Sequence, residues 1–169
     1  LLKINNLSII NHVYQRAISA DIGDVYVATG DMEIFKNVTE NGGNCILTEI
    51  DHKTGTDRIN EAFKKLNLNN IDHIINLQGD EPLIRSDSIK KIMSMIPNLK
   101  HSEKEIISGV TPIRSEQAFD PNNVKCSLVQ NYSKIQYFSR KPLLNSTETK
   151  KPKYYKQIGL YAMNTKTLE

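Results

Sequence analysis

Hydrophobic positions in this chain alternate between helical spacing and short continuous runs. Ser8 to Ala20 reads as a helix: Ile9, Val13 and Ala17 recur every four residues, Ile10, Tyr14 and Ile18 lie beside them, and Ser8 suits the N-cap. A turn at Asp21-Ile22-Gly23-Asp24 leads into Val25-Tyr26-Val27-Ala28-Thr29, an apolar run typical of a strand buried on both faces. A helix from Met32 to Asn41 stops at Gly42-Gly43, and Cys45 to Thr48 is the next strand. From Thr56 to Leu66, the residues Ile59, Ala62, Phe63 and Leu66 make one apolar helix face. His73 to Leu77 is a buried strand. Ser86 is placed to cap a helix carrying Ile89, Ile92, Met93 and Ile96, which ends at Pro97. Ile106 to Ile113 is again a strand. Strand and helix in alternation predict an α/β fold, a mostly parallel sheet with helices on both faces.

The pattern then changes. Lys125–Val129 and Lys134–Ser139 read as two strands joined by a tight turn at Gln130-Asn131-Tyr132-Ser133. Ser139 to Pro152 is polar and proline-marked, which predicts a loop, and Tyr154 to Met163 is a long strand. Thr165-Lys166-Thr167-Leu168-Glu169 looks like a helix starting at a Thr165 cap. With no Met at position 1, this suggests a piece of a longer protein.

Composition narrows the classes. Of 169 residues, 38% are hydrophobic and 24% charged, the balance of one globular domain rather than a disordered chain. No apolar run approaches the roughly 20 residues of a membrane span. Lys and Arg exceed Asp and Glu by only three, spread along the chain, so no nucleic-acid partner is expected. Cys45 and Cys126 have neither CxxC nor metal spacing and read as ordinary thiols in a reducing compartment. The opening residues lack a basic segment followed by an apolar core, so no signal peptide is expected.

Ligands of open α/β sheets bind beyond the carboxyl ends of the strands. Four segments there carry chemistry. In Gln78-Gly79-Asp80-Glu81-Pro82, Gly79 permits a close backbone approach, Asp80 is a hard oxygen ligand suited to Mg²⁺ beside phosphates, and Gln78 offers an amide. The alternative is a loop whose acids cap the next helix. Thr54-Gly55-Thr56-Asp57-Arg58 opens a helix whose free N–H groups suit an anion, with Arg58 reaching a base or phosphate. It also reads as a plain cap, with Arg58 paired to Glu61. Arg140, ending Phe138-Ser139-Arg140, can clamp a carboxylate or be a solvated surface residue. Gln157, Gly159 and Tyr161 share one strand face, where they can line a sugar pocket or simply pack. His12, His52, His73 and His101 have no metal or triad spacing, and no GxSxG, HExxH, Walker A or GxGxxG motif occurs.

Taken in order, Val25–Thr29 with Asp31, Thr54–Arg58, Asn76-Leu77-Gln78-Gly79-Asp80-Glu81-Pro82, Tyr137-Phe138-Ser139-Arg140 and Ile158-Gly159-Leu160-Tyr161-Ala162 resemble the 3-deoxy-manno-octulosonate (Kdo) cytidylyltransferases, the CMP-Kdo synthetases of Gram-negative bacteria. The resemblance covers essentially the whole chain. It implies a nucleotide-diphospho-sugar transferase-like, Rossmann-like fold with a small antiparallel dimerisation and sugar-binding part over residues 122–163. It implies transfer of CMP from CTP to the anomeric hydroxyl of Kdo, with release of pyrophosphate, for lipopolysaccharide. Asp80 would hold Mg²⁺ as the catalytic metal ligand. Thr29, Arg58, Gln78 and Gly79 would face the nucleotide, with Arg58 on the cytosine. Gln78, Arg140, Gln157 and Tyr161 would face the sugar. A cytoplasmic homodimer with no membrane partner would follow.

Three departures from the family pattern stand out. The triphosphate-binding loop that opens the family would precede Leu1-Leu2-Lys3-Ile4, a second metal-binding Asp would follow position 169, and Gln157 stands where the family usually has His. Gln cannot carry positive charge toward an acidic sugar, so an acceptor such as 8-amino-Kdo or a sialic-acid-like sugar is the nearest alternative. The 169 residues alone are expected to bind CTP weakly without turnover, as a non-catalytic binding module would. A glycosyltransferase would need a DxD motif, and Glu81-Pro82 after Asp80 fits it poorly.

Overall fold

The computed structural model of the chain describes residues 1–98, 105–129, 134–142 and 154–168. The expected turn at Gln130–Ser133, His101 and most of the Ser139–Pro152 loop lie outside the described residues. The chain forms two compact units, Leu1–Ile107 with Gly159–Glu169, and Ser108–Ile158.

The first unit opens with a hairpin, β1 (Lys3–Ile4) and β2 (Leu7–Ser8). Its turn is Asn5-Asn6, with φ of 47° and 65°, a left-handed pair that asparagine tolerates better than most residues. Helix α1 (Ile9–Ile18) follows, and Ser8 caps it by accepting from the Asn11 amide. The same hydroxyl donates to Asn37 Oδ1 (2.7 Å), which also accepts from Asn11 Nδ2 (3.0 Å). This polar knot joins α1 to α2 (Met32–Glu40). Asp31 caps α2 by accepting from the Glu33 and Ile34 amides. Gly42, at φ 77°, turns the chain out of α2, and a side chain at Gly43 would meet Val38 at 2.7 Å.

Strands β3 (Val27–Thr29) and β4 (Cys45–Leu47) pair in parallel. α3 (Gly55–Leu66) carries a full capping box, Thr54 with Asp57, and ends at Asn67 in the left-handed region. β5 (His73–Leu77) pairs antiparallel with the later part of β9 (Tyr154–Asn164), from His73↔Asn164 to Leu77↔Leu160. α4 (Ser86–Met95) starts differently from expectation. Arg85 takes the N-cap position without a side-chain bond, and the Ser86 hydroxyl instead reaches the Arg16 carbonyl (3.2 Å). Val13, Val38, Ala62, Ile84, Ile89, Ile92, Leu160, Ala162 and Met163 form the buried core. The helix expected from Thr165 is a single 3-10 turn, Thr165–Thr167, capped by Asn164.

The second unit centres on β7 (Lys125–Val129) and β8 (Lys134–Ser139), antiparallel with an irregularity between Ser127 and Leu128. Lys125 also pairs with Lys156 of β9. β6 (Ile106–Ile113) pairs with β9 as well. The architecture is α/β, with its parallel pairing at β3–β4. No helix among the described residues is long and apolar enough to cross a membrane.

Candidate functional site

Two groups of side chains gather in the first unit. One lies at the ends of β3 and β4. Thr29 is buried, its hydroxyl accepts from the Asp31 amide (3.1 Å), and its carbonyl accepts from the Thr48 amide (2.8 Å). Arg58, one turn into α3, folds back onto this edge. Its Nη1 donates to Thr48 Oγ1 (2.6 Å) and the Glu49 carbonyl (2.8 Å), and its Nη2 to the Ile50 carbonyl (3.0 Å). Of the five guanidinium N–H groups, the Nε–H and one Nη2 hydrogen are left over among the described residues. Gly30 makes room for this, because a Cβ there would sit 2.8 Å from Arg58 Nη1 and 2.7 Å from the Glu49 carbonyl.

Glu61 does not pair with Arg58. It takes the Lys65 ammonium (2.6 Å), the His52 ring and the Glu49 amide (3.1 Å), while Lys65 also reaches the Leu47 carbonyl (2.9 Å). Lys65 first, then His52 and the Glu49 amide, pull the Glu61 carboxyl down to about 2, against the opposing effect of desolvation. The loop from Leu47 to His52 is thus held by three charged side chains of α3.

The other group lies just past β5. Gln78 donates its amide to the Gly159 carbonyl (2.7 Å), and the Gly159 amide donates to Glu81 Oε1 (3.0 Å). A Cβ at Gly159 would lie 2.6 Å from both Gln78 Cβ and Oε1. The Gln78 side chain therefore lies flat over the one position of β9 that has no side chain. Gly79 is similarly close to α1, where a Cβ would meet Ile10 Cδ1 at 2.8 Å. Tyr161, two residues on, is half-buried. Burial first, then the charges of Glu81 and Asp80, raise its phenol above the ordinary value. A protonated phenol beside two carboxylates is a hydrogen-bond donor at neutral pH.

Asp80 is exposed and forms no hydrogen bond or ion pair with another described residue. No cluster of three or more His, Cys, Asp or Glu that could hold a metal occurs among the described residues. A carboxylate with no protein cation, next to a second one, fits Mg²⁺, which binds through one or two carboxylates and completes its shell with water and substrate phosphate.

Arg140 and Gln157 belong to the second unit. Arg140 is exposed, with Nη1 on the Pro121 carbonyl (3.1 Å). Gln157 is half-buried and its amide donates to the Val124 carbonyl (2.8 Å). Lys125 is wholly buried, and its ammonium donates to the carbonyls of Asp120 (3.0 Å) and Arg140. Burial raises the thiols of Cys45 and Cys126 to about 11.

Residue type and spacing do not mark out Thr48, Gly30 or Lys125, and Glu81 reads in the sequence only as part of a loop. A lysine inside the apolar run Val124-Lys125-Cys126 was the available signal for the third.

Comparison with known proteins supplies a family. A family model described as cytidylyltransferase matches residues 1–169. The 8-amino-3,8-dideoxy-manno-octulosonate cytidylyltransferase of Shewanella halifaxensis is 38% identical over 172 residues, which cover 100% of this chain and 69% of that protein. The 3-deoxy-manno-octulosonate cytidylyltransferase of Thermodesulfovibrio yellowstonii is 37% identical over 178 residues, covering 98% of this chain and 69% of that protein. A solved structure of CMP:2-keto-3-deoxy-manno-octonic acid synthetase complexed with CTP superposes with a TM-score of 0.85 at 33% identity, over 99% of this chain and 68% of that one.

Proposed function

The chain belongs to the cytidylyltransferase family, and on that premise we propose that it is the core of an enzyme transferring CMP from CTP to the anomeric hydroxyl of Kdo. The observation that carries the reading is the Gln78–Glu81 segment. It is clamped to Gly159 by two hydrogen bonds, one from the Gln78 backbone amide to the Gly159 carbonyl and one from the Gly159 amide to the Glu81 carboxylate, and lies beside a protonated Tyr161. An acidic, amide-bearing edge with one phenolic donor suits a polyhydroxylated sugar meeting a nucleotide phosphate.

In this reaction the anomeric oxygen bonds to the α-phosphorus of CTP, the bond to the β-phosphate breaks, pyrophosphate leaves, and the hydroxyl proton passes to solvent. Asp80 would hold Mg²⁺, which when bound supplies positive charge at the α-phosphate and favours ionisation of the sugar hydroxyl. Gln78, held flat over Gly159, donates to sugar hydroxyls at the junction with the nucleotide. Arg58 presents its two remaining N–H groups to the cytosine, and its other three hold the Thr48–Ile50 edge that shapes that subsite. Tyr161 donates its phenolic proton to the sugar. For Arg140 and Gln157, in the second unit, the family pattern alone is the basis for the sugar carboxylate contact and for an uncharged contact with the sugar. Catalysis then rests on alignment and charge stabilisation rather than covalent chemistry. Tyr137 and Phe138, 50% and 45% exposed on β8, would be covered by a second copy in a cytoplasmic homodimer serving lipopolysaccharide synthesis.

A second acceptor has specific support. The relative from Shewanella halifaxensis is named for the 8-amino sugar at an identity as high as that of the Kdo-named one. Competition between Kdo and 8-amino-Kdo for CMP transfer, measured in the protein encoded by the full reading frame, tests both. Preference for Kdo by kcat/KM supports the main reading. Preference for the amino sugar moves the acceptor, and transfer to neither sinks the sugar assignment.

A further inference from the structure

Lys125 is a buried cation with no role in the chemistry above. It lies in β7 between Ser139 and Lys156 on the flanking strands and has no exposed surface. Among the described residues its ammonium has two partners, both backbone carbonyls, those of Asp120 and Arg140. Burying an ammonium is costly unless its hydrogen bonds are made, so such a group is poorly tolerated unless it organises what surrounds it. What surrounds it is the segment that carries Arg140. The Arg140 carbonyl is held by Lys125, while its guanidinium donates to the carbonyl of Pro121, the residue after Asp120. The contacts close a ring: ammonium, Asp120 carbonyl, Pro121 carbonyl, Arg140 guanidinium, Arg140 carbonyl, ammonium. Pro121 stiffens one side by fixing its own φ. Ser139 stiffens the other, its hydroxyl bonding both the amide and the carbonyl of Lys141 at 3.0 Å.

We infer that Lys125 is a positioning residue that fixes both the backbone and the guanidinium of Arg140, so that an exposed arginine presents a set geometry to the carboxylate of an acidic sugar. The inference rests on the reading of Arg140 as the carboxylate contact. Without the ammonium, Arg140 keeps its charge and loses its aim, so the loss falls on the acidic sugar and not on CTP.

The test uses Lys125→Met, which keeps the length of the side chain and removes the donors. Pro121→Ala, at an exposed position, loosens the same ring without disturbing the interior. Lys125→Met is expected to raise KM for the sugar about 10- to 100-fold, with KM for CTP changed by less than about twofold. In an Arg140→Ala background the same change is expected to alter the sugar KM by less than about twofold. Pro121→Ala moves the sugar KM in the same direction by a smaller factor and carries the test if Lys125→Met does not fold. Equal increases in both KM values, or full additivity with Arg140→Ala, would overturn the inference. One arm needs no turnover: amide exchange in Lys125→Met should quicken at Asp120, Asn122, Asn123 and residues 139–141 and stay unchanged in β7. Uniform or absent acceleration would overturn the ring itself, whatever becomes of the sugar assignment.

Discussion

Replacing Gly159 by alanine tests the clamp beneath Gln78. The new Cβ would lie 2.6 Å from Gln78 Cβ and Oε1 and 3.0 Å from Cδ, well inside van der Waals contact. Gly159 lies outside the left-handed region, so the substitution acts through space and not through backbone strain. Overpacking of this kind costs about 1–3 kcal/mol. Gln78→Gly alone costs about 0.5–1 kcal/mol in chain entropy. If the two positions were independent, the double variant would lose the sum. Because Gln78→Gly removes all three clashing atoms, the double variant should be destabilised no more than Gln78→Gly alone, a coupling of about 1–3 kcal/mol. Urea unfolding of the four proteins, read as a double-mutant cycle, gives the coupling directly. Additivity within about 0.5 kcal/mol would refute the reasoning.

Four further outcomes follow from the site. Glu61 is held at about 2 in the folded chain against an ordinary value of 4.5, so its stabilisation is complete above pH 4.5 and is lost as pH falls toward 2. Wild type should therefore lose stability relative to Glu61→Gln across that window in acid titration by circular dichroism, and parallel curves would contradict it. The Tyr161 phenol is raised in part by Glu81, so Glu81→Gln should bring its titration down toward the ordinary value in carbon-13 tyrosine spectra, and an unmoved resonance would remove Glu81 from the site. Its raised value also means that stability falls as pH climbs past the unfolded phenol's pKa, since the unfolded chain ionises first. Asp80→Asn should reduce kcat at least about 100-fold while leaving the urea midpoint in place, because the residue is exposed, and near-normal turnover would end its proposed metal role.

Elements whose cause is local were legible in the sequence. α3 declares itself through one apolar face and a Thr54–Asp57 box, and β5 through Ile74, Ile75 and Leu77 in a short segment flanked by turns. β7 and β8 were likewise visible from their boundaries. The opening hairpin was not, because its two short strands depend on Asn5 and Asn6 adopting positive φ. Ser86 looks like a cap in the sequence, yet its hydroxyl finds a carbonyl seventy residues earlier. The site divides the same way. Gln78, Asp80 and Tyr161 stand out by residue type and place. The partners of Arg58 do not, because two of its three acceptors are backbone carbonyls, which every residue carries. Lys125 escapes for a related reason: lysine reads as surface, and only the folded chain shows the carbonyls that hold it inside.

Phosphorus NMR of the reaction reads the transfer of CMP to a sugar acid without an intermediary. The protein from the full reading frame is incubated with CTP, Mg²⁺ and Kdo. A new phosphodiester signal and a pyrophosphate signal are expected to grow in equal amounts, only when both substrates are present. Pyrophosphate without the phosphodiester, or CTP unchanged with Kdo and 8-amino-Kdo alike, would contradict the transfer.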